Sequence, residues 1–130
     1  LFQPDHVHHE IAHEWLSQNG EHGWATCPIT ENGFVRILSN PRYPLPQSPA
    51  TAVQLLRLAK QSADHQFWPN ADSLTDGSVF DIAHVGNHGQ VTDTALLATA
   101  VTHGGRLVTF NRKIRSAAVK GCRPESLVIL

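Results

Sequence analysis

Glu31 and Asp93 are the side chains of this chain whose type and placement best suit chemistry. Each is expected in the first turn of a helix, and both helix starts should face one edge of a sheet. In an open α/β sheet the carboxyl edge is where ligands bind. Two carboxylates there could share a hard divalent cation through their oxygens. Asn111 joins them, because an expected strand over residues 106–110 delivers it to the same edge. Its neutral carbonyl oxygen can ligate a cation or orient a water. The plainer alternative is that both acids merely complement helix dipoles, worth ~0.3–1 kcal/mol each. Asn32 and Thr109 could support such a site by hydrogen bonding, or be no more than a helix-surface amide and a strand-end hydroxyl.

The elements that must position these residues follow from local signals. In QVTDTALLATAVTHGGRLVTFNRK (residues 90–113), Thr92 has the hydroxyl of an N-cap and Asp93 suits the positive end of the helix. Leu96, Leu97, Ala100 and Val101 recur at helical spacing, and Gly104-Gly105 supply the stop. Upstream, Pro4-Asp5 opens a helix with Val7, Ile11, Ala12, Trp15 and Leu16 on its apolar face. A buried strand is expected over 24–27, then a helix from about Thr30 to Leu38 that ends before Pro41. Ser48 caps the next helix, with Pro49 at its first position and Val53, Leu56 and Ala59 turned inward. Residues 66–68 read as a strand with Phe67 and Trp68 in the core, 78–85 as a helix, and 127–130 as a last strand. Asp76 and Asp81 read as turn and helix-start residues. Strands alternating with helices indicate an α/β fold, a three-layer α/β/α sandwich on a mostly parallel sheet.

One motif misleads. His9-Glu10-Ile11-Ala12-His13 spells H-E-x-x-H, which on a helix sets two imidazoles on one face for zinc. Nine histidines raise the odds of a chance match, and no third ligand lies at a fixed offset. A solvated, histidine-rich helix face is the default.

Composition bounds the rest. A chain of 130 residues, 41% hydrophobic and 16% charged, makes one domain with a core that needs no staples. Two cysteines, Cys27 and Cys122, imply no disulfide framework and fit a reducing cytoplasm. No apolar stretch is long enough to span a bilayer, so no membrane partner is expected. The net charge of −1 makes no global case for nucleic acid. Its distribution is more telling, with six bases against one acid after His103. Arg112, Lys113 and Arg115 could thus form a basic patch beside Asn111, or a solvated surface clustered by chance.

Several separated strings, in order, resemble the PIN-domain ribonucleases of VapC type. They are GWATCPITENGFVRILSNP (23–41), HQFWPNADSL (65–74), GNHGQVTD (86–93) and HGGRLVTFN (103–111), with PDHVHHE (4–10) leading. The resemblance covers nearly the whole chain as a single PIN-like domain over 1–130 that lacks its leading strand. It implies a magnesium- or manganese-dependent endoribonuclease toxin that cleaves structured RNA, dimerises with itself, and is neutralised by a cognate VapB-type antitoxin. It also implies that Glu31 and Asp93 match the second and third acids of the family's metal site. Two departures stand out. The family's first acid belongs to a strand expected ahead of Leu1, and its fourth acid falls where this chain has Asn111. The substitution lowers the negative charge available to a cation. A catalytically silent RNA- or antitoxin-binding module is therefore the alternative.

Overall fold

The computed structural model describes residues 23–69 and 72–130, so the H-E-x-x-H motif and the expected first helix lie outside the described residues. The described residues fall into two compact units, divided near Pro69.

In the first unit β1 (Trp24–Thr26) runs parallel to β2 (His65–Phe67). Trp24 pairs with His65, Ala25 with Gln66 and Thr26 with Phe67. Gly23, at φ +83°, lets the chain enter β1 against the Asp64 carbonyl, where a Cβ would sit 2.8 Å from that oxygen. A parallel pair needs a long crossover, and two helices supply it. These are α1 (Pro28–Leu38) and α2 (Pro49–Ala59). Among the described residues of this unit, Cys27, Leu38, Ala52 and Leu56 are the buried apolar side chains. Helix α1 starts earlier than the expected Thr30, because Pro28 takes the first helical position, where its missing N–H leaves nothing unpaired. Thr30 instead folds back, its Oγ1 accepting from the Cys27 N–H at 2.9 Å. Helix α2 begins as expected, with Ser48 Oγ accepting from the Thr51 N–H at 3.1 Å.

The second unit is built on α3 (Val91–Thr102) and a parallel pair, β3 (Leu107–Thr109) with β4 (Leu127–Ile129). Leu97, Ala98, Phe80, Ile114 and Val119 form its core, with Val101, Leu107 and Leu127 packed against them. Thr92 does not cap α3. A 3₁₀ turn over His88–Gln90 runs directly into the helix, so Gln90 is the cap residue and Thr92 lies inside the first turn. The start signal lies upstream at Asn87, the N-cap of the 3₁₀ turn, whose Oδ1 accepts from the Gly89 N–H at 2.9 Å. At the other end Gly104 takes φ +68°, and the Gly105 N–H returns to the Ala100 carbonyl at 2.8 Å.

Residues 78–85 are not the expected helix. Phe80 forms an antiparallel bridge with Val119, and only Ile82–His84 makes a 3₁₀ turn. The Lys120 N–H to Val79 and the Asp81 N–H to Ala118 hold that segment extended. Burying Phe80 in the core favours this over local helical pairing. Asp76 fixes the preceding turn by accepting from the Ser78 N–H and hydroxyl, at 2.9 and 2.6 Å. The expected placement of Phe67 in the core also fails, since the residue is 44% exposed, while Trp68 is half-buried.

Candidate active site

Glu31 reaches its place because Pro28 and the Thr30 bond set the first turn of α1 directly after β1. Its Oε2 accepts from the Lys60 ammonium at 2.6 Å and from the Thr26 hydroxyl at 2.6 Å. Thr26 comes from the end of β1 and Lys60 from the end of α2. His65 Nε2 lies 2.8 Å from Thr26 Oγ1. Since the hydroxyl proton goes to Glu31, the imidazole must be the donor there, which places a proton on Nε2. The result is a chain of contacts, His65 to Thr26 to Glu31, closed by Lys60.

Charge follows from these contacts. Burial would raise the Glu31 carboxyl, but the bonds from Lys60 and Thr26, aided by the charges of Lys60 and His65, outweigh it and hold the group below its ordinary range. Glu31 is thus a carboxylate at neutral pH. Burial lowers the His65 imidazole, Lys60 lowers it further, and the opposing pull of Glu31 does not restore it. Trp24 leans on the His65 ring at 4.5 Å between centroids, and Lys60 Nζ sits 4.7 Å above the Phe67 ring.

The second unit brings together Asp93, Asn111 and Thr109. Asp93 lies in the first turn of α3 and Asn111 follows β3. The Asn111 amide nitrogen donates to Asp93 Oδ2 at 2.9 Å. Its carbonyl oxygen accepts from the Lys113 N–H at 3.0 Å, and the Asn111 N–H donates to Thr109 Oγ1 at 3.1 Å. Asn32 is exposed on α1. Arg112, Lys113 and Arg115 are exposed as well, and Arg112 donates to the Leu130 carbonyl at 3.3 Å.

Whether these residues suit a divalent cation is decided by their donor atoms. Among the described residues no three His, Cys, Asp or Glu side chains gather into a metal cluster. The carboxylates are nevertheless hard oxygen donors, and at Glu31 the Lys60 ammonium already stands in the place of a cation. Taken each within its own unit, the Glu31 and Asp93 carboxylates are hard oxygen donors of the kind magnesium or manganese takes. Asn111 turns its N–H side, not its oxygen, toward Asp93.

Thr26, Lys60 and His65 were not among the residues the sequence singled out. His65 stands in the HQFW string, and Thr26 shares a face of β1 with Trp24, but nothing local marks Lys60, 29 positions away from Glu31.

The pattern of the PIN domain matches residues 1–120. Ribonuclease VapC44 of Mycobacterium tuberculosis is 46% identical over 130 residues, all of this chain and 92% of the relative. Ribonuclease VapC39 of the same organism is 44% identical over 119 residues, 91% of this chain and 86% of its own length. Ribonuclease VapC38 is 38% identical over 126 residues, 96% and 86% of the two chains. The chain belongs to the PIN-domain family, among its VapC-type members.

Proposed function

We propose that this protein is a magnesium- or manganese-dependent endoribonuclease toxin that cuts structured RNA and is silenced by a cognate VapB-type antitoxin. The observation that carries the reading is 46% identity along the whole chain to a protein named a ribonuclease. Glu31 and Asp93 are the carboxylates we assign to divalent binding. Glu31 is kept ionised by Lys60 and Thr26, and Thr26 is in turn fixed by His65. When bound, the divalent ion supplies Lewis-acid stabilisation of the charge on the phosphoryl oxygens and makes hydroxide available near neutral pH. Asn111 orients Asp93 through its amide, and Thr109 anchors Asn111 in turn. Arg112, Lys113 and Arg115 hold flanking phosphates, positioning the strand without reading its sequence. We assign the protein to the cytoplasm as a homodimer. Among the described residues no helix is long and apolar enough to cross a membrane.

The test is RNA cleavage by the full-length protein with Mg²⁺ or Mn²⁺, compared with Glu31→Gln and Asp93→Asn. Each variant should lose about three decades of rate or more, since a lost ligand removes several kcal/mol of transition-state stabilisation. Near-wild-type cleavage by either folded variant overturns the assignment of that residue.

A second reading has its own observation. Both candidate carboxylates are engaged by nitrogen donors, Glu31 by Lys60 and Asp93 by Asn111. A silent RNA- or antitoxin-binding module would look the same. RNA binding with no divalent-dependent cleavage would establish it.

A further inference from the structure

We infer that Lys60 is a built-in counter-cation of Glu31 and competes with the divalent ion for that carboxylate. The inference rests on reading Glu31 as a metal ligand. Three observations support it. Lys60 Nζ lies 2.6 Å from Oε2, the same oxygen that accepts from Thr26, so one oxygen carries both bonds. The pair is only 28% and 22% exposed, unlike a floppy surface ion pair. The ammonium is also held from a second direction, over the Phe67 ring at 4.7 Å.

Lys60 is the C-cap residue of α2, where a cation suits the negative end of the helix dipole. Its position is therefore fixed by the fold as much as by Glu31. A divalent ion binding Glu31 must either displace the ammonium from Oε2 or settle beside a positive charge. Both weaken its affinity. Lys60 thus sets the divalent concentration at which the carboxylate becomes available, a threshold that a neutral residue of similar length would remove.

Mn²⁺ binding to the full-length protein, followed by the electron paramagnetic resonance of the free ion, tests this without any reliance on turnover. Lys60→Met keeps an unbranched apolar stem of similar reach against Phe67 while removing the charge. It should bind Mn²⁺ about fivefold more tightly or better, since freeing a carboxylate from a part-buried ion pair is worth on the order of 1 kcal/mol. Lys60→Arg, which keeps the charge, should stay near wild type. Glu31→Gln should bind more weakly than wild type. If Glu31→Gln weakens binding but Lys60→Met does not tighten it, the competition is overturned and the metal-ligand reading survives. If Glu31→Gln binds as wild type does, both fall together. A measurement on the wild type guards against a poorly folded Lys60→Met. In a ¹⁵Nζ spectrum of the lysines, the Lys60 signal should move as Mg²⁺ saturates the protein. An unmoved Lys60 signal at saturation overturns the competition.

Discussion

Asn111 gives its side-chain amide to Asp93 Oδ2 across 2.9 Å, while its own carbonyl oxygen is taken by the Lys113 N–H. Two residues that the sequence suggested as joint cation ligands are therefore donor and acceptor to each other. A neutral donor beside Asp93 satisfies the carboxylate without a metal. The second unit can be stable in the ion-free state for that reason, where two facing carboxylates would repel.

Asn111→Asp should consequently trade stability in chelator for stability in divalent ion. The substitution is nearly isosteric, so packing should hardly change. It removes a hydrogen bond to a charged group, worth about 1.5–3 kcal/mol, and sets a second carboxylate against Asp93. Melting in EDTA should fall below wild type. Saturating Mg²⁺ or Mn²⁺ should raise it by more than it raises wild type, because a restored carboxylate adds a hard ligand with full charge. Equal divalent stabilisation of the two proteins would place position 111 away from the metal.

His65 gives a prediction about pH. Its imidazole is lowered in the folded protein, so the unfolded chain binds its proton more readily. Its contribution to stability is complete above the ordinary imidazole range. It is lost as pH falls from about 6.5 toward the folded value. The Glu31 carboxyl is also lowered, and it acts in the same direction at more acid pH, within the carboxylate range. Urea denaturation of wild type should show stability dropping from pH 7.5 to 5.5. His65→Gln should flatten that drop and weaken the steeper loss in the carboxylate range only slightly, because Lys60 and Thr26 still hold the Glu31 carboxyl low without the charge of His65. The same slope in both proteins would assign the pH dependence to other histidines among the nine.

What could be read in the sequence was what local chemistry dictates. Ser48-Pro49 opens α2 as expected, and Gly104 ends α3, because each signal acts within a few residues. The boundaries that slipped did so for equally local reasons that outweighed the first reading. Pro28 takes priority over Thr30 as a helix start, and the 3₁₀ turn over His88–Gln90 takes the capping role from Thr92. Residues 78–85 went wrong because burial of Phe80 and a bridge to Val119 are non-local. The contacts around the candidate site were half legible. Glu31, Asp93 and Asn111 announce themselves by helix starts and a strand end. The partners that set their charge do not, since Lys60 and His65 meet Glu31 and Thr26 only once a two-helix crossover has brought β2 beside β1.

The basic residues after β3 provide the last prediction. Arg112 and Arg115 are exposed, and Arg112 leans on the Leu130 carbonyl at 3.3 Å. One such bond leaves most of the donors of a guanidinium open to a phosphate. Neither side chain belongs to the core, so Arg112→Ala with Arg115→Ala should leave folding within about 0.5 kcal/mol of wild type. RNA binding should weaken by a similar factor for every sequence offered, because phosphate contacts carry no base information. Each contact on single-stranded RNA contributes ~0.7 to the slope of log affinity against log salt. Removing two should therefore flatten the slope by about 1.4. Binding isotherms between about 50 and 200 mM salt cover the range over which such contacts are felt. An unchanged slope would mean that these arginines face away from the RNA. A loss confined to one RNA sequence would instead mark them as readers of bases.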